Sequence, residues 1–163
     1  VHDSSSVTYP VFTAIAAPEV QNKLNGDFAI IAGPYLQNLA TGGCELDYTL
    51  TFVSEKFISM VFFGVLDEGE KEIFAKIPLN IDVQTGAQLA LGDVLNLRDA
   101  DLLPVLRLLT KKDKVDFSKG IPESWYYNGT NFVFCQRSET GEWLEATVAA
   151  SDLKKFLLKP ELF

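Results

Sequence analysis

The chain has 163 residues, 47% of them hydrophobic and 22% charged, with 22 acidic against 14 basic residues and a net charge of −8. This composition excludes a disordered chain. It allows one domain over 1–163, or two subdomains of about 1–70 and 71–163 that share a core. The acidic balance argues against nucleic acid, whose binders need clustered Lys and Arg to displace counterions. It suits solubility and, beyond that, steering toward a basic partner.

The chain opens on "VHDSSS", with no basic start and no apolar run, so no leader is read there. A mature secreted domain would look the same. His2 reads as part of a frayed end. "SVTYPVFTAI" predicts a first strand, with Pro10 at an edge or bulge. In "APEVQNKLNGDFAIIAGPYLQNLA" the spacing of Val20, Leu24, Phe28, Ile31, Tyr35 and Leu39 predicts one face of a helix. Pro18 suits its first turn. Gly33 and Pro34 are expected to kink the helix or split it, and "ATGG" ends it.

"ELDYTLTFVS" alternates. Leu46, Tyr48, Leu50 and Phe52 face one way and Glu45, Asp47, Thr49 and Thr51 the other, which predicts a strand with one wet face. "FISMVFFGVL" predicts a more buried strand, "DEGEKE" a solvated turn, and "IFAKIPLNIDV" a third strand with Ile73, Ala75, Ile77, Leu79, Ile81 and Val83 on one side. Short polar turns between them imply an antiparallel meander. Dense leucines between Gly92 and Thr110 predict a helix, with Asp99 or Asp101 as cap and Pro104 early in it. "KKDKVDFSKGIPES" reads as a loop. Asn128-Gly129, between aromatic runs, is the strongest hairpin signal in the chain. "EWLEATVAA" is a last strand. "SDLKKFLLKPELF" predicts a short helix capped by Ser151 or Asp152 and ended by Pro160. Strands in runs point to an α+β fold, an antiparallel sheet with helices packed on one face. No apolar run approaches the roughly 18 residues of a membrane span.

Most site chemistries lack their residues. A nucleophile usually needs a histidine base, and His2 is the one histidine. No metal site is expected from one His and two cysteines without a Cys-x-x-Cys, and no cofactor is expected without a phosphate loop or dinucleotide fingerprint. Cys44 and Cys135 read equally as one disulfide or as two buried thiols. Asn128-Gly129-Thr130 fits the glycosylation sequon but reads as the hairpin turn.

"NIDVQTGAQLALGDVL" places Asp82 and Asp93 eleven residues apart. As a carboxylate pair they are candidates for hydrolysis, with Glu123 and Glu142 as further acids. The commoner roles are an Asp82 that bonds the backbone of the turn Gln84-Thr85-Gly86 and an Asp93 that caps a helix. Aromatic residues are the remaining candidates. Trp125, Tyr126 and Tyr127 are adjacent, so in a strand they cannot share one face. Trp143 lies in the next strand. Such rings bind sugars or protein partners when exposed, and pack across strands when not.

Asn80-Ile81-Asp82, then Thr85-Gly86, then Leu89-Ala90-Leu91-Gly92-Asp93-Val94-Leu95 resembles the extracytoplasmic domain shared by RsiV-type anti-sigma factors and PdaC-type peptidoglycan deacetylases. "TYPVF" with "VQNKLN", "YTLTFVSEKFISMVFFG" and "NFVFCQ…ATVAASDLKKFL" follow in the order of that family, from about Thr8 to Leu158. The resemblance implies an α+β domain outside the cytoplasmic membrane, one that binds lysozyme in the anti-sigma factors and has no activity of its own. Family members often carry Gly-Gly-Ala-His before the Asn-Ile-Asp strand. Here that place holds "GVLDEGEKEIFAK", without a histidine, so any partner contact made through that segment is not carried over.

The expectation is therefore a non-enzymatic, extracytoplasmic binding module for a basic protein such as lysozyme, or for cell-wall peptidoglycan. Trp125, Tyr126, Tyr127 and Trp143 are its candidate binding residues. The competing expectations are a carboxylate-based hydrolase of cell-wall polymers and a structural domain of a surface protein.

Overall fold

The structure is a computed structural model that describes residues 5–15, 17–40, 42–67 and 72–163. His2 and the centre of the "DEGEKE" turn lie outside the described residues. Helix α1 (Pro18–Asn38) runs unbroken through Gly33 and Pro34. The expected split is absent because Ala32 and Tyr35, on either side of Pro34, are both buried against the sheet. Packing of an apolar face outweighs one lost helical donor. Of the expected face, Val20, Leu24, Phe28 and Tyr35 are buried, Ile31 is half-buried, and Leu39 is exposed beyond the helix end.

Strands β2 (Cys44–Val53), β3 (Phe57–Asp67) and β4 (Glu72–Asp82) form the antiparallel meander. Two short strands flank it: β1 (Ser6–Val7) runs parallel to β2, and β5 (Ala87–Gln88) antiparallel to β4. The expected first strand is thus reduced to two residues. After Thr8 the segment is held by α1 instead of by a ladder. The Asn25 side-chain amide accepts from Phe12 N at 2.8 Å and donates to Phe12 O at 2.9 Å, and Gln21 Oε1 accepts from Ile15 N at 3.2 Å. Pro10 is buried.

Alternation gives this sheet two faces. Leu46, Ile58, Met60, Phe62, Leu79 and Ile81 pack with α1 in one apolar cluster. Gly64 lies under α1 as well, and a Cβ there would collide with the Tyr35 ring and hydroxyl. The register of β2 on β3 shifts between Leu50 and Phe52. This bulge moves Phe52 off the α1 face, where strict alternation places it, to the outer face. There it meets Phe57 and Tyr127.

A second sheet follows: β6 (Ser124–Tyr127), β7 (Asn131–Arg137) and β8 (Trp143–Ala149), all antiparallel. The Asn128 turn links β6 to β7, with Asn128 Oδ1 accepting from Thr130 N and Asn131 N at 3.2 and 2.8 Å and Gly129 at φ 93°. The fold is α+β as expected, but its strands divide into a five-stranded and a three-stranded sheet. β3 and β4 pair from Phe57↔Asp82 to Asp67↔Glu72 within the first of these sheets. Trp125, Tyr127, Phe132, Phe134, Ala146 and Val148 form a second core with Phe57 and with helices α2 (Leu91–Val94) and α3 (Leu102–Leu109).

Several local expectations shift. Asp99 does not cap α3; its Oδ1 accepts from Asp101 N at 2.9 Å, and Asp101, which precedes the helix, makes no side-chain cap. A 3-10 helix Ala150–Phe156 starts without a cap from Ser151 or Asp152. It ends at Phe156, and Pro160 opens a further turn, Pro160–Leu162. A rigid φ suits the start of a turn as well as it blocks a helix. "KKDKVDFSKGIPES" contains one 3-10 turn, Phe117–Lys119.

Candidate functional site

The two sheets meet where the unpaired edge of β6 lies on the outer face of the first sheet. Trp125 O and Tyr127 N point away from β7, and both would be orphaned by burial. Asn80 Nδ2 donates to Trp125 O at 2.7 Å, and Tyr127 N donates to Ser59 Oγ at 2.8 Å. Ser59 Oγ in turn donates to Asn80 Oδ1 at 2.7 Å. Ser59 and Asn80 are both buried. Two side chains from neighbouring strands thus replace the missing ladder partner.

This docking leaves the rest of the outer face open. The pairing lays its residues in rows across the strands: Asp67 and Glu72; then Glu45, Val65 and Phe74; then Asp47, Phe63 and Lys76. The free face of the second sheet, with Tyr126 and Trp143, rises beside the last row. Together they bound a cleft of about 550 Å³ lined by Phe63, Val65, Phe74, Lys76, Trp143 and, on its rim, Glu45 and Asp47. Phe63 and Phe74 are 44% and 51% exposed. Rings so open on a sheet face are the kind of apolar surface that marks a contact site. A smaller pocket of about 190 Å³ adjoins it and shares Glu45, Val65 and Phe74.

A polar node closes one side of the cleft. Lys76, its side chain largely buried, pairs with Glu145 on β8. Its ammonium lies 5.6 Å from the Phe63 ring centre and 5.5 Å from that of Tyr126. Tyr126 Oη donates to Glu145 Oε1 at 3.0 Å, and Cys135 Sγ lies 3.9 Å from the same oxygen. Burial, then the bond to Glu145 and its charge, push the Tyr126 phenol well above its usual range. Burial also pushes the Cys135 thiol up to about 12, with Glu145 adding and Lys76 opposing. Trp143 Nε1 is buried at the wall of the cleft and finds no acceptor among the described residues.

The four aromatic candidates are divided by strand alternation. Tyr126 and Trp143 are half-buried beside the cleft. Trp125 and Tyr127 are 2% and 4% exposed and stack in the second core against Phe57, Phe132 and Phe163. Sequence reasoning did not single out Phe63, Phe74 or Lys76. The available signal was that Phe74 and Lys76 occupy the alternate positions of β4.

The acids of the stretch from Asn80 to Leu95 have backbone roles. Asp82 Oδ1 accepts from Gln84 N and Thr85 N at 2.9 and 3.2 Å, and Gly86, at φ 66°, returns its N–H to Asp82 O at 2.8 Å. Asp93 is the third residue of α2 instead of its cap, and its Oδ2 accepts from Ala90 N at 2.8 Å. Glu123 and Glu142 are exposed. None of these four acids lines the cleft. Cys44 and Cys135 are two buried free thiols. Among the described residues no group of His, Cys, Asp and Glu has the arrangement of a metal site. No helix among them is long and apolar enough to cross a membrane.

Two solved structures are similar to this chain in fold. A DUF3298 family protein from Pseudomonas aeruginosa PAO1 aligns with a TM-score of 0.60 and 15% identity over 90% of this chain and 83% of that one. A member of the DUF3298 family from Bacteroides fragilis NCTC 9343 aligns with a TM-score of 0.54 and 14% identity over 85% of this chain and 65% of that one. No protein-family model and no curated protein matches the sequence.

Proposed function

We propose that this chain is a non-enzymatic, extracytoplasmic binding module that engages a basic protein, with a lysozyme as the model partner. One observation carries the reading: an aromatic floor left open at the junction of the two sheets, with exposed carboxylates on its rim. Apolar floor supplies affinity, and rim charge supplies selection and fast encounter. The net charge of −8 has the sign that a basic partner requires. The fold likeness to DUF3298 proteins and the motif from Asn80 to Leu95 support an extracytoplasmic domain of this kind.

A second reading keeps the cleft and changes its ligand to peptidoglycan glycan. Trp143 and Tyr126 favour it, since half-buried rings beside an open cleft suit sugar stacking. Titration calorimetry with lysozyme and with soluble peptidoglycan fragments separates the two. Lysozyme binding is expected to weaken steeply between low and physiological salt, whereas sugar stacking is not. Heat from neither titrant contradicts both readings.

A further inference from the structure

The binding reading leaves open what the cleft recognises on its partner. The floor of Phe63, Val65 and Phe74 is apolar, so its occupant must bring an apolar contact. The rim is acidic, so its occupant must also bring positive charge. The row Asp47–Phe63–Lys76 already shows how this face holds a cation: an ammonium beside an aromatic ring, compensated by a carboxylate from the second sheet. In the neighbouring row Glu45–Val65–Phe74 the carboxylate and the ring are present, and neither takes part in an ion pair or a cation–π contact among the described residues. Its ring is the more exposed of the two. Glu72 stands two positions from Phe74 on the same strand face, so carboxylates flank the ring on two sides. The pocket over this row, about 190 Å³, is smaller than the roughly 300 Å³ at which small-molecule sites begin and suits one side chain.

We infer that this groove seats an arginine or lysine side chain of a partner protein, its charge against the Phe74 ring between Glu45 and Glu72 and its alkyl stem over Val65. The inference rests on the binding-module reading and gives it a recognition element. Long cationic side chains have the needed form, a methylene stem for the floor and a charged head for the rim.

The test uses the whole chain, the variants Phe74→Ala and Phe74→Tyr, and four probes: lysozyme, a tetra-arginine peptide, its neutral tetra-citrulline counterpart and a neutral chitin oligosaccharide. Trp143 at the cleft wall reports binding by fluorescence, and calorimetry confirms it. Phe74 is exposed, so both variants are expected to keep the wild-type urea midpoint. The expected result is tetra-arginine binding that weakens about tenfold in Phe74→Ala and is kept in Phe74→Tyr. Tetra-citrulline should be silent, and tetra-arginine should compete with lysozyme. Lysozyme binding that ignores both tetra-arginine and Phe74→Ala overturns the inference and leaves the module reading standing. Phe74-dependent tetra-arginine binding without lysozyme binding upholds the groove as a seat for a cationic side chain and overturns lysozyme as the model partner. Equal binding of tetra-citrulline, or binding of a neutral chitin oligosaccharide in the groove while tetra-arginine is silent, overturns the inference. Silence of every probe overturns both.

Discussion

Asn80 Nδ2 donates to the Trp125 carbonyl oxygen at 2.7 Å, and this bond fastens the edge of the second sheet to the outer face of the first. Asn80 Oδ1 accepts from Ser59 at 2.7 Å, so one amide serves both partners. Asn80→Leu keeps the volume but leaves the Trp125 carbonyl unpaired and the Ser59 O–H without its acceptor inside the junction, while Ser59 Oγ still accepts from Tyr127 N. At about 1–3 kcal/mol for each of the two stranded groups, a loss of about 2–6 kcal/mol is expected. Urea unfolding followed by tryptophan fluorescence measures it. A loss under about 0.5 kcal/mol would show that the amide is not what joins the sheets.

Gly64 has a role on the opposite face. A methyl group there meets the Tyr35 ring, so Gly64→Ala must displace α1 or the side chain of Tyr35. A cost of about 1–3 kcal/mol is expected, the usual range for overpacking. In the background Tyr35→Ala the same substitution should cost much less. Equal costs in both backgrounds would place the strain elsewhere.

Thr51 sits in the β2 bulge, and its hydroxyl is buried without a partner among the described residues. Thr51→Val removes that hydroxyl at nearly constant shape. Stability is expected to hold or to rise by up to about 1 kcal/mol. Thermal or urea denaturation that shows a loss beyond about 1 kcal/mol would reveal a bond to that hydroxyl.

The node around Glu145 makes stability fall in base. The Cys135 thiol has its pKa raised from 9.0 to about 12, so the folded chain keeps a proton that the unfolded chain releases first. Its contribution is complete below pH 9 and is lost progressively as pH rises toward 12. Tyr126, also raised, acts with the same sign at higher pH. The urea midpoint should fall across this range, and Cys135→Ala should flatten the fall. An identical slope in the variant would remove Cys135 from the account. Under native conditions near pH 8 the thiol should also react slowly with a disulfide reagent, being both buried and protonated.

Much of the fold was legible from local pattern. The period of α1, the alternation of β2 to β4, the Asn128-Gly129 hairpin and the Asp82 turn all depend on residues close in sequence. The division into two sheets was not legible. It rests on Ser59 and Asn80, two polar residues whose partners lie 68 and 45 positions away. Strict alternation puts Phe52 on the α1 face, and the bulge that moves it to the outer face leaves no mark in the sequence pattern. The cleft stayed hidden for a related reason. Phe63 and Phe74 are single outward residues on separate strands, and only the register Val65↔Phe74 and Phe63↔Lys76 sets them side by side. Adjacency of Trp125, Tyr126 and Tyr127 showed that their faces differ. Which face meets the core was decided by the docking of β6.

The central claim is that the acidic, aromatic cleft is where a basic protein binds. Its most direct measurement is the lysozyme affinity of Glu45→Gln/Asp47→Asn beside that of Glu123→Gln/Glu142→Gln, a pair with the same charge change outside the cleft. At about 0.2–1 kcal/mol for each exposed charge, the cleft pair should weaken binding about two- to thirtyfold and flatten its salt dependence. The control pair should change it less than twofold. Equal effects from the two pairs, or none from the cleft pair, would contradict the account.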